Sequence, residues 1–102
     1  MTVAMQGEFG KPRPALVIQA DPYQELGTVT VLPVTSTLIA APLLRVTLQP
    51  SPGNGLQRPS QVMADKAMTV KREKAGPVFG RIDADALVDV DRCLAVFLGI
   101  AK

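Results

Sequence analysis

Proline and glycine recur at short intervals through the first four-fifths of the chain, and this spacing limits its fold more than any other feature. A helix worth forming needs about ten or more uninterrupted residues, whereas a strand needs only about five. The apolar runs left between the breakers are of strand length. Ala15-Leu16-Val17-Ile18-Gln19 follows Pro14, is rich in β-branched residues and is stopped by Asp21-Pro22. Thr28 to Val34 starts after Gly27 and alternates threonine with valine, as a half-buried strand does. Leu44 to Leu48 alternates again and runs into the turn-rich Pro50-Ser51-Pro52-Gly53-Asn54-Gly55. Gln61 to Asp65 and Met68 to Lys71 read as two further strands. Several short strands at this spacing predict a closed or nearly closed antiparallel barrel.

The last fifth changes period. Asp83 is a good helix N-cap, flanked by Ile82 and Leu87 in the positions of a hydrophobic staple, with Asp85 in the first turn. Leu87, Val90, Leu94 and Phe97 recur at helical spacing as one apolar stripe, read as core, and Gly99 is placed to end the helix. The expectation is one domain, residues 1–102, mainly β, with a C-terminal α-helix against the barrel. Hydrophobic residues make up 47% of the chain, enough to fill such a core. No run of about 18 apolar residues and no secretory signal is visible, so the chain reads as a soluble cytoplasmic domain without a membrane partner.

Histidine is absent and Cys93 is the only cysteine. A zinc site of the usual kind and any Ser-His-Asp or Cys-His centre are therefore excluded, and no metal or other cofactor is expected. Acid–base chemistry would fall to carboxylates, hydroxyls, lysine or arginine. All basic residues but Arg92 and Lys102 precede Ile82, while Asp83, Asp85, Asp89 and Asp91 follow it. A positive body suits a polyanionic ligand, and a plain solvated surface would look the same.

Ordered blocks along the chain carry a further reading. Gly7 to Gln19 leads from a loop with glycine and glutamate through Arg13-Pro14 into an apolar strand. Val31-Leu32-Pro33-Val34-Thr35-Ser36 ends a strand on hydroxyls. Gly55-Leu56 through Ser60, Asp65-Lys66 before Met68-Thr69-Val70, the amphipathic helix and Leu98-Gly99-Ile100 follow in order. Taken together, the set resembles the MazF/PemK toxins of type II toxin–antitoxin systems. Three features depart from that pattern: the opening Met1-Thr2-Val3-Ala4-Met5, Lys66 where many members have glutamine, and the lack of histidine.

The resemblance implies the toxin fold shared by MazF and CcdB, a small SH3-like barrel with a C-terminal helix. It also implies a dimeric, metal-independent endoribonuclease that cuts single-stranded RNA and is silenced by a small acidic antitoxin. In such enzymes the RNA's 2′-hydroxyl attacks the adjacent phosphate, leaving a 2′,3′-cyclic phosphate. That reaction needs a proton acceptor, donors for the phosphorane charge and a proton source for the leaving oxygen. Arg13 is expected to stabilise the phosphorane, since guanidinium offers a planar fork of donors and Pro12 and Pro14 restrict its backbone. Thr35 would donate to the scissile phosphate or orient the nucleophile, and Glu8 would act as base or positioning group. Lys11, Ser36, Arg58, Ser60, Gln61, Asp65 and Lys66 are expected along the RNA. Phe9, Tyr23 and Arg45 are further candidates for reading bases. Each has a plainer alternative: Arg13 pairing with Glu8 or Asp65, Thr35 closing a turn, Glu8 solvated in its loop.

Two rivals remain at this point. A gyrase poison like CcdB shares the fold, but its Trp-Gly-Ile ending is matched here only by Leu98-Gly99-Ile100, and the chain has no tryptophan. A non-catalytic barrel that binds a peptide would have four aromatic residues, Phe9, Tyr23, Phe79 and Phe97, from which to build a groove.

Overall fold

The computed structural model describes residues 2–6, 12–18 and 26–100, and in it the alternating runs are strands. The elements in order are β1 (Thr2–Gln6), β2 (Pro12–Val17), β3 (Thr28–Thr35), β4 (Arg45–Leu48), β5 (Ser60–Met63), β6 (Met68–Lys71), β7 (Ala75–Gly80) and α1 (Ala84–Phe97). The sheet is antiparallel throughout. Its strands follow the path β4-β5-β3-β2-β1-β7, with β6 also on β3. Among the described residues these ladders form a path with ends at β4 and β7.

β3 is the seam of the fold. Thr28 to Val31 pair with β6, Val31 to Pro33 pair with β2, and Val34 and Thr35 pair with β5. Its inward face changes along its length. Val29 and Val31 pack with Ala15 in one cluster, whereas Leu32 and Val34 join Leu16, Val46, Leu48, Val62 and Val90 in another. A strand covered on both faces loses the apolar–polar alternation, which explains the unbroken apolar run of β2.

β1 and β7 lie outside the strands expected from the sequence. In β7 the pair Gly76-Pro77 reads as a breaker, but β7 ends the strand path, where a proline can leave its missing N–H unpaired. The β1–β7 register shifts on either side of Val3. The run Gln61–Asp65 also stops early: β5 ends at Met63, and Ala64–Lys66 forms a 3-10 turn that buries Ala64.

α1 begins and ends as its sequence predicts. Asp83 Oδ1 accepts the Ala86 N–H at 2.7 Å. At the other end Ile100 N–H donates to the Ala95 carbonyl and Gly99 N–H to that of Val96, with Gly99 at φ 74°, a left-handed end that favours glycine. The buried stripe keeps Val90 and Leu94 of the expected one and replaces the other two. Ala86, Val90, Cys93 and Leu94 face the core, while Leu87 and Phe97 are 42% and 48% exposed. α1 lies against β4 and the Ala64–Lys66 turn, and that support sets its rotation. No helix among the described residues is long and apolar enough to cross a membrane.

Candidate functional site

A cavity of about 610 Å³ opens where β3 passes from β2 to β5. Its wall contains Arg13, Pro14, Val34, Thr35, Ser36, Gly55, Leu56, Gln57, Arg58, Ser60 and Phe79. Strand register explains the first group. The β2–β3 ladder ends at Ala15–Pro33, and β3 then pairs with β5, so Arg13 and Thr35 lie just past the point where the two strands part. On the other edge Thr35 pairs with Gln61, and the next position sets Ser36 opposite Ser60.

The opposite wall is a loop organised by one buried side chain. Asn54 Oδ1 accepts the N–H groups of Ser51 and Leu56 at 3.1 and 3.0 Å, and Asn54 Nδ2 donates to the Gln49 carbonyl at 2.8 Å. Ser51 Oγ accepts the Asn54 N–H in return. Arg81 N–H donates to the Gly53 carbonyl at 2.8 Å and fastens this loop to the end of β7. Gly55 sits at φ 70°, and a Cβ there would collide with the ring and carbonyl of Phe79. Its bare backbone therefore lets Phe79 close the wall.

The hydroxyl of the buried Ser60 is tied to the Arg58 carbonyl at 2.9 Å, whereas the cations of the wall have no such tie among the described residues. Arg13 is exposed, and neither its guanidinium nor that of Arg58 has a hydrogen bond or ion pair with another described residue. Thr35 Oγ1 accepts the Thr37 N–H at 3.1 Å, which fixes the hydroxyl and leaves its own hydrogen to donate. Two permanently charged forks and a hydroxyl donor on one concave wall can bind a phosphate and stabilise added negative charge on it.

Of the residues expected from the sequence, Arg13, Thr35, Ser36, Arg58 and Ser60 meet here. Glu8 and Lys11, like Phe9 and Tyr23, lie outside the described residues. Gln61, Asp65 and Lys66 do not line the cavity. Gln61 is only 6% exposed, and its amide joins Ile39, Thr47 and Arg45 behind the site. Asp65 and Lys66 pair with each other at 2.6 Å on the surface turn. That hydrogen bond from the Lys66 ammonium holds the Asp65 carboxyl below the usual carboxylate range, with Arg45 adding to the effect, so Asp65 is a poor proton acceptor. Gln57 and Phe79 were not among the site residues expected from the sequence. Gln57 lies inside the Gly55–Ser60 block, which could have singled it out, whereas nothing local marks Phe79.

Residues 2–98 match the family described as PemK-like, MazF-like toxin of type II toxin-antitoxin system. The chain is 45% identical over 101 residues to the probable endoribonuclease MazF of Mycolicibacterium smegmatis, covering 98% of this chain and 93% of that one. It superposes on the Mycobacterium tuberculosis toxin MazF-mt6 with a TM-score of 0.84 at 22% identity, covering both chains fully. A crystal structure of MazE-MazF from Deinococcus radiodurans gives a TM-score of 0.80 at 29% identity, covering 98% of this chain and 92% of that one.

Proposed function

The chain belongs to the PemK-like, MazF-like toxins of type II toxin–antitoxin systems, and from that premise we propose that it is an endoribonuclease cutting single-stranded RNA in the Arg13–Thr35 cavity. The observation that carries this is a pair of guanidiniums, unpaired with any other described residue, beside a threonine hydroxyl fixed by Thr37. A phosphodiester passing to a phosphorane gains charge on its non-bridging oxygens, and donors already in place stabilise that charge without reorganising. Arg13 offers its fork to those oxygens. Thr35, its oxygen engaged by Thr37, donates its hydrogen to the same phosphate or holds the 2′-hydroxyl in line. Arg58 and the Ser36 hydroxyl hold the neighbouring backbone, Ser60 braces Arg58 by donating to its carbonyl at 2.9 Å, and Lys11 is a further candidate to contact the RNA. The 2′-hydroxyl gives its proton to a base, for which Glu8 is the candidate. Its oxygen bonds to phosphorus, and the 5′-oxygen leaves with a proton, giving a 2′,3′-cyclic phosphate.

With no histidine and one cysteine in the chain, the reaction is read as metal-independent. The natural silencer is a small acidic antitoxin whose segment occupies the cationic cavity, as membership of the toxin family supports. The working unit is a homodimer that runs in the cytoplasm. Exposed Leu43, Leu98 and Ile100 support a second copy covering apolar surface. The test is incubation of the purified chain with a labelled RNA in EDTA. Discrete fragments with cyclic phosphate ends are expected, and deoxy substitution at the scissile nucleotide should abolish them. Cutting of that deoxy substrate overturns the mechanism, and no cutting of any RNA overturns the function.

A further inference from the structure

Resting on the ribonuclease reading above, we propose that Phe79 is the platform on which a nucleobase beside the scissile phosphate stacks, making it a determinant of where the chain cuts. Two aromatic rings belong to the described residues, Phe79 and Phe97. Phe97 lies near the end of α1, outside the cavity wall, and Phe79 is part of that wall. The ring is 38% exposed, so a face can meet a ligand while the rest is held.

What holds it is the Gly55 backbone. With φ at 70° and no side chain, Gly55 lets the ring lie where any other residue's Cβ would stand. The loop behind Gly55 is itself fixed by the Asn54 hydrogen bonds and by Arg81 N–H on Gly53. The ring is therefore in place before any ligand arrives. Val34 and Leu56 extend the apolar wall, and Arg13 and Arg58 supply cations in the same cavity. A phosphate held by the guanidiniums leaves its attached base to settle on an apolar, flat surface. Bases stack on aromatic rings with a stabilisation that tolerates sequence but favours the better-stacking base. A volume of about 610 Å³ is enough to take a nucleotide.

The test compares Phe79→Leu, which keeps bulk and loses the flat ring, with Phe79→Trp, which keeps the ring. Substrates are a short RNA with its normal bases and the same RNA made abasic at one or other nucleotide flanking the cut. Binding is read on deoxy-blocked versions of each, and cut positions are mapped on a random RNA pool. Phe79→Leu should bind the normal RNA about 10- to 100-fold more weakly, the ratio expected for one lost base–aromatic stack, while its rate at saturation changes little. Its cut positions should become less selective, and Phe79→Trp should retain tight binding. One of the two abasic substitutions should weaken wild-type binding by a similar factor yet cost Phe79→Leu almost nothing more. If Phe79→Leu keeps the wild-type affinity and cut pattern, or pays the full abasic penalty, the stacking role is wrong and the ribonuclease stands. If the wild-type chain cuts no RNA, the ribonuclease reading falls and the stacking role with it.

Discussion

The cavity and the bracket directly behind it are built from the same residue types and use them in opposite ways. The bracket holds Arg45, Thr47 and Gln61. Arg45 Nη1 donates to the Thr37 carbonyl at 3.2 Å and to Gln61 Oε1 at 3.3 Å. Gln61 Nε2 donates to the Ile39 carbonyl and to Thr47 Oγ1, and Gln61 Oε1 accepts the Ile39 N–H. Every group there answers another. The cavity holds Arg13, Arg58, Thr35 and Gln57, and among the described residues the two guanidiniums have no side-chain partner. Polar groups that answer one another at the bracket, beside guanidiniums that have no partner among the described residues in the cavity, leave the cavity suited to an anion.

Paired substitutions can break this contrast. The largest effect is expected at the two strand arginines. Arg13→Ala should cut turnover about 10²–10³-fold and leave thermal stability near wild type, because no described residue depends on its side chain. Arg45→Ala should do the reverse, costing about 1 kcal/mol of stability in a denaturant titration with little change in turnover per folded molecule. Arg13→Lys should recover little, since an ammonium lacks the fork. Equal loss of turnover in the Arg13 and Arg45 variants would erase the distinction.

Next come the amides. Gln61→Ala should cost about 1 kcal/mol, because it removes the hydrogen bonds that the buried Gln61 amide makes to the Ile39 backbone and to Thr47, whereas Gln57→Ala should leave the melting temperature unmoved and weaken RNA binding. Thr35 bridges the two regions, being bonded to the bracket side through the Thr37 N–H and facing the cavity through its hydrogen. Thr35→Ala should lower turnover by about tenfold or more, the loss of one transition-state hydrogen bond, while Thr35→Ser keeps most of it. A serine variant as inactive as the alanine would assign the role to the methyl group and its packing.

The smallest effect belongs to the Asp65–Lys66 turn. The Asp65 carboxyl titrates below its ordinary value because of Lys66, so its share of stability is present above about pH 4 and is lost as the pH falls through its folded value. Asp65→Asn should lower the melting temperature slightly at pH 7 and leave activity intact, and the difference from wild type should narrow in acid. A melting-temperature difference that grows in acid would contradict the pairing.

The contrast also marks how far the sequence can be read. Arg13 and Thr35 were legible through the ordered blocks that carry the family resemblance, and the ends of β2 and β3 bring both to the cavity. The helix termini were legible locally: Asp83 and Gly99 act on their own backbone. Gln61 was expected along the RNA and is instead covered by the folded loop of Thr37 to Leu44, which its local sequence does not announce. Phe79 enters the site because Arg81 clips onto Gly53, a contact across nearly thirty residues that no local pattern announces. The rotation of α1 was misjudged at Leu87 and Phe97 because periodicity gives an apolar side but not which part of it meets β4.

The central claim is that Arg13 acts on the transition state rather than merely holding RNA. The most direct measurement is single-turnover cleavage of a short RNA by Arg13→Ala at saturating enzyme, alongside its affinity for the uncleavable deoxy analogue. The account predicts a cleavage rate about 10²–10³-fold below wild type, with a much smaller change in affinity. A variant that binds poorly but cuts at the wild-type rate once saturated would contradict it.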